Sequence, residues 1–153
     1  MCVSFHFVFW LYRFEVLRLT FPYGEIAGKD RSGVLAGLIL ALLNVPEEII
    51  SFDYALTRIG VEPFREHLTE VFLSHVGSGI GRDEPGIDEW CQVRGENMVA
   101  FLKAMRTTWS YGPGVEVEGF KVNEEYEGVV GYLRDELGLE IDDMRIIRER
   151  LAP

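Results

Sequence analysis

The chain has 153 residues with 15 Lys and Arg against 25 Asp and Glu, a formal charge of −10, and 48% hydrophobic and 26% charged residues. That length suits one ordinary domain, and the composition is globular usage, which excludes a disordered polyelectrolyte. An acidic body excludes non-specific nucleic-acid binding, which needs a cationic stripe to displace counterions, and the two cysteines, Cys2 and Cys91, are too few for a disulfide framework or a four-cysteine zinc site.

Residues 1–26 are unlike the rest. They hold Phe5, Phe7, Phe9, Trp10, Tyr12, Phe14, Phe21 and Tyr23, eight of 19 aromatic residues, and Arg13 and Arg18 balance Glu15 and Glu25. The alternation SFHFVF predicts a strand, and Glu15–Phe21 is a second candidate. Nothing basic precedes Arg13 and no small-residue cleavage site appears, so the stretch does not read as a signal peptide. The apolar run Val3–Tyr12 is also well short of the ~20 residues that cross a bilayer. Without a secretory signal, a cytoplasmic location is expected.

From Ala27 onward the texture is helical. VLAGLILALLN has no charge between Ser32 and Asn44, which predicts a helix buried nearly all round and ended by Asn44. Pro46, Glu47 and Glu48 open a second helix to about Ile59, as proline and acidic residues favour a first turn. A third follows Pro63, with Phe64, Leu68, Val71, Phe72 and Val76 as its apolar face. GSGIGRDEPG reads as a turn-rich loop, and Gly95–Thr107 as a helix with Met98, Phe101, Leu102 and Met105 in register. WSYGPGVEVEGFKV, residues 109–122, predicts an extended loop or hairpin. Two helices close the chain, Asn123–Leu137 stopped by Gly138, and Ile141–Leu151 with Asp142 and Asp143 in its first turn.

The chemistry is concentrated in A-G-K-D-R-S-G, residues 27–33. Its net charge is +1, which leaves −11 for the residues that follow, so this loop is a small basic island in an acidic surface. A glycine-containing loop running into a helix aims backbone N–H groups at one point, where the helix dipole favours an anion. Arg31 can close a planar fork on two phosphate oxygens, and Lys29 adds a point charge. The spacing is not that of the nucleotide-binding Walker motif. An ordinary polar cap before a helix is the plainer alternative reading of the same residues.

IAGKDRSGVLAGLILALLNVPEEIISFDYAL resembles the phosphate loop and following helices of the atypical protein-tyrosine phosphatases that carry H-C-x-A-G-K-D-R-[ST]-G. GYLRDELGLEIDDMRIIRERL is similar to that family's C-terminal element. The resemblance covers about residues 27–153, interrupted by looser matching around 77–95 and an extra segment near 108–122, and implies an α/β, cysteine-dependent phosphatase-like fold, here truncated at the front and mostly helical with few strands. It implies hydrolysis of phosphorylated protein or phosphoinositide substrates through a cysteinyl-phosphate, with no cofactor and no metal. By the same resemblance Arg31 clamps the phosphate, Ser32 helps the thiolate leave, Lys29 and Asp30 are the loop's lysine and aspartate, the latter a candidate proton donor, and Ala27, Gly28 and Gly33 shape the loop.

The family's histidine falls at Gly24 and its cysteine at Glu25. A thiolate attacks because the loop lowers its pKa and holds it under phosphorus, which the longer glutamate does not reproduce. Two unit charges ~4 Å apart also repel by about 4 kcal/mol at an effective dielectric of ~20, whereas a helix N-terminus returns only about 0.3–2 kcal/mol. Glu25 is therefore expected to pair with Arg31 or Lys29 and to occlude the loop. A non-catalytic phosphate-binding module and a helical interaction protein stand beside the enzyme as readings. The resemblance stops at the Ile26/Ala27 junction, so residues 1–26 are expected to be a replacement start, such as translated non-coding sequence or an alternative first exon. Cys91 has no phosphate loop around it, His6, His67 and His75 show no metal-ligand spacing, and Asp83, Glu84, Asp88 and Glu89 do not space as a calcium loop.

Overall fold

Apolar residues spaced by three and four, punctuated by Asn44, Pro46, Pro63 and Gly138, produce helices joined by short turns. The computed structural model describes residues 29–76, 81–87, 92–109 and 122–152. Over these the chain forms α1 (Arg31–Leu42), α2 (Glu47–Val61), α3 (Arg65–Val76), α4 (Gly95–Trp109), α5 (Glu127–Asp135) and α6 (Ile141–Leu151). Short 3-10 turns at Glu62–Phe64 and Glu124–Tyr126 lead into α3 and α5. The described residues are mostly helical and contain no strand. The strands expected at SFHFVF and Glu15–Phe21 lie outside them, as do residues 110–121 of the expected hairpin. Trp109, expected to open that loop or hairpin, instead completes α4, which runs two residues beyond the expected Thr107.

The core is one cluster in which α4 is the hub, packing on α2 and on α5. Met98, Phe101, Leu102 and Met105 are all buried, and meet Leu38, Ala41 and Leu42 of α1, Ile50 of α2, and Val129, Val130 and Leu133 of α5. Each of these side chains larger than alanine contributes about 1.5–3 kcal/mol by leaving water. Two glycines set how closely the helices approach. A Cβ on Gly37 would lie 2.7 Å from the Met98 sulfur, and one on Gly128 would strike the Met105 carbonyl and the Arg106 Cα.

The C-terminal end of α1 is closed by its own backbone. Asn44 N–H donates to the Ala41 carbonyl and Val45 N–H to the Leu40 carbonyl, at 2.9 and 3.0 Å, with Asn44 at φ 59°. That is a Schellman arrangement with asparagine in the left-handed position. Asn44 Oδ1 then accepts from Asn123 N–H at 2.8 Å, and the Tyr126 hydroxyl donates to the Val45 carbonyl at 2.6 Å. Tyr126 has to turn inward to do this, which is why the helix expected over Asn123–Leu137 starts as a 3-10 turn and becomes α-helical only at Glu127. Burial, helped by Glu125, Glu47 and Glu48, pushes the Tyr126 phenol up to about 12.

Two further expectations are corrected. Helix α1 is not buried all round: Gly37, Leu38, Ala41 and Leu42 are buried, but Leu35 is 51% exposed. An uncharged sequence permits burial on every side, whereas α2, α4 and α5 cover one side only. Phe64 does not join the apolar face of α3, because the 3-10 turn around Pro63 rotates it outward, leaving it 62% exposed. Leu68 is buried, Val71 and Phe72 are half-buried, and the side chain of Val76 lies outside the described residues. The final helix has the bounds expected, and its start is a capping box in which the Glu140 and Asp143 side chains each accept from the other residue's backbone N–H.

Candidate functional site

Residues Lys29 to Gly33 form the entry into α1, and the helix begins at Arg31 rather than after Gly33. Lys29 is 4% exposed, and its ammonium lies 2.8 Å from both carboxylate oxygens of Asp30. A buried ammonium needs such a partner, since its uncompensated desolvation costs several kcal/mol. The pair has a local consequence. Asp30 stands at the N-cap of α1, where an aspartate usually accepts from the helix's own N–H groups, but it forms no side-chain cap.

The first turn of α1 also lacks the usual counter-charge. Each of α2 to α6 carries Asp or Glu in its first turn: Glu47 and Glu48, Glu66, Glu96, Glu127, and Asp142 with Asp143. Helix α1 has none there, and carries Arg31 instead. Half-buried, Arg31 has no ion-pair partner among the described residues. Arginine at a helix N-terminus is mildly unfavourable against the dipole. The combination concentrates positive potential at one point, where an anion would be favoured.

Ser32 is exposed, and Gly33 is half-buried against the ring of Tyr54 on α2. A Cβ at Gly33 would lie 2.7 Å from Tyr54 Cε2, so glycine is what allows α1 to enter so close to α2. Nothing in the sequence marks Tyr54 beyond its place in the stretch that resembles the phosphatase helices. The structure thus places Lys29, Asp30, Arg31, Ser32 and Gly33 in one continuous turn. Ala27, Gly28, Gly24 and Glu25 lie outside the described residues.

Other candidates sit elsewhere. His67 is exposed on α3, and Asp83 and Glu84 lie on an exposed turn, while Cys91, His6, Asp88, Glu89 and the side chain of His75 lie outside the described residues. Among the described residues no group of three or more His, Cys, Asp or Glu is arranged to hold a metal ion. A cleft of about 460 Å³ opens between α2 and the start of α4, lined by Ala55, Arg58, Val93, Arg94, Gly95 and Glu96. None of Lys29 to Gly33 lines it. Among the described residues no helix is long and apolar enough to cross a membrane.

Helix α2 also carries an apolar face that does not point into the core. Ile49, Phe52, Leu56 and Ile59 are exposed, although their spacing, three, four and three residues apart, is an amphipathic signal.

The sequence pattern of the Tyrosine phosphatase family matches residues 26–113, from the approach to α1 through the end of α4. No curated protein and no solved structure matches the chain. The family match spans more than half of the chain and includes the whole turn from Lys29 to Gly33. The chain belongs to the tyrosine phosphatase family.

Proposed function

We propose that this chain is a catalytically silent member of its family, in which the loop Ala27–Gly33 keeps the chemistry of a phosphate cradle while the nucleophile is missing. One observation carries the reading. The start of α1 has an arginine without an ion-pair partner among the described residues, a buried lysine beside it, and no acidic residue in the first turn. An ordinary helix cap has the opposite charge pattern, as α2 to α6 illustrate.

In this reading Arg31 forks two phosphate oxygens, Lys29 stays paired with Asp30 beside it, and Ser32 and Asp30 keep positions that serve leaving-group and proton steps in active members of the family. The ligand is a phosphate monoester, borne by a protein side chain or a phosphoinositide headgroup. Glu25 stands where the attacking cysteine belongs. Without the thiolate no cysteinyl-phosphate forms, and losing the nucleophile of a concerted set costs about a millionfold in the serine-protease precedent. The carboxylate also competes with phosphate for Arg31 and Lys29. Residues 1–26 then form a segment separate from the phosphatase-like portion 27–153.

The test is calorimetry with inorganic phosphate and O-phosphotyrosine, beside turnover of p-nitrophenyl phosphate. The expected result is no turnover, weak or absent binding by the chain itself, at least tenfold tighter binding by Glu25→Ala, and loss of that binding in Glu25→Ala/Arg31→Ala. Turnover by the unaltered chain overturns the silence. Failure of Glu25→Ala to bind, or binding that survives Arg31→Ala, overturns the cradle.

A further inference from the structure

Helix α2 buries Ile50 and Val61 toward the core but leaves Ile49, Phe52, Leu56 and Ile59 at 54%, 63%, 42% and 73% exposure. At ~100° per residue these four fall within an arc of about 80°, so they form one stripe along three turns of the helix. The open apolar area is on the order of 400–500 Å², within the ~300–600 Å² of the largest patch a typical soluble monomer shows, and patches of that size often serve a function.

Charge along the stripe selects the occupant. Glu48 lies just beyond one edge of the arc and Asp53 just beyond the other; both are exposed, and neither forms an ion pair among the described residues. The nearby arginines are already engaged. Arg58 Nε lies 3.7 Å from Glu62 and Arg65 Nη2 lies 2.8 Å from the same carboxylate, which this neighbour holds below the usual carboxylate range. The stripe therefore presents apolar contact between two unneutralised carboxylates on a chain of charge −10.

A second copy suits this surface poorly. Closing two stripes on each other brings together two acidic bodies of charge −10, and Glu48 and Asp53 of one copy face the same carboxylates of the other. We infer that the α2 stripe is a docking surface for a cationic amphipathic helix of a partner protein, whose apolar face covers Phe52, Leu56 and Ile59 while its flanking Lys or Arg residues meet Glu48 and Asp53. Apolar contact supplies the affinity, and the acidic body steers the encounter. This surface is independent of the phosphate cradle.

The test uses the full chain and a 14-residue helical leucine–lysine peptide, titrated by calorimetry at low and moderate salt, with a leucine–glutamate peptide of the same pattern as control. The expected result is saturable one-to-one binding that weakens with salt, falls at least tenfold in Phe52→Ser/Ile59→Ser and at least fivefold in Glu48→Gln/Asp53→Asn, and is at least tenfold weaker for the acidic peptide. The second variant removes only charge from exposed positions, so the test does not depend on how the first variant folds. No saturable binding, equal binding of the acidic peptide, or binding unchanged in both variants overturns the inference. So does a dimer in sedimentation that Phe52→Ser/Ile59→Ser dissolves, because the stripe then belongs to a second copy.

Discussion

The two ends of α1 are built on opposite rules. At its C-terminus the carbonyls are taken up by Asn44 and Val45, Leu42 is 1% exposed, and the Tyr126 hydroxyl and Asn44 Oδ1 tie the turn to the start of α5. At its N-terminus the cap residue spends its carboxylate on Lys29, the first turn has no acid, and an arginine sits where the dipole disfavours it. One end minimises free energy locally. The other stores unfavourable charge, which is what a site for an anion requires, because a pocket that has already satisfied itself gains little from a ligand. Substitutions at the two ends should therefore separate stability from binding.

The largest effect on stability is expected at the closed end. Leu42→Ala removes a fully buried side chain from the cluster joining α1 to α4 and α5. It should cost about 3 kcal/mol and lower the melting temperature by about 10 °C, measured by thermal unfolding. A loss below about 1 kcal/mol would mean that the closed end is not holding the helix.

How legible these two ends were in the sequence differs for a physical reason. Local signals were readable: Asn44 as a stop, Gly138 as another, and Asp142 with Asp143 as a start, because each acts on its own turn of backbone. The buried set on α4 followed from its spacing. What could not be read was contact between distant elements. The absence of charge in α1 said nothing about which neighbours would cover Leu35, and the 3-10 turn at Pro63 broke the periodicity that placed Phe64 inside. The residue types of the loop suggested an anion, yet the contact of Tyr54 with Gly33 is a tertiary fact carried by two helices. Nor did the sequence suggest that Asp30 would pair with its neighbour instead of capping the helix.

The Tyr126 latch gives the next effect, with a pH dependence of definite sign. Its phenol is raised from its ordinary value of 10 to about 12, so the folded chain holds this proton more tightly than the unfolded chain does. The stabilisation is fully present below pH 10 and is lost as pH rises toward 12. Tyr132, raised by burial and by Glu136, acts in the same direction. Tyr126→Phe leaves the Val45 carbonyl without its donor and should cost about 1–2 kcal/mol at pH 7. Urea unfolding at several pH values should show that this cost shrinks between pH 10 and 12. A cost that stays constant over that range would mean that the phenol titrates alike in the folded and unfolded chains.

The smallest effect on stability is expected at the open end, and its smallness is the informative part. Arg31 has no ion-pair partner among the described residues and opposes the dipole of α1, so Arg31→Ala should change stability by less than about 0.5 kcal/mol, with a slight gain as the favoured sign. A half-buried arginine also covers apolar surface with its stem, which offsets part of that gain. A loss above about 1 kcal/mol in urea unfolding would make Arg31 a structural residue and erase the contrast between the two ends. A neutral result, together with loss of phosphate binding in the Glu25→Ala background, would mean that the arginine's charge is maintained for a ligand, because the fold itself draws nothing from it.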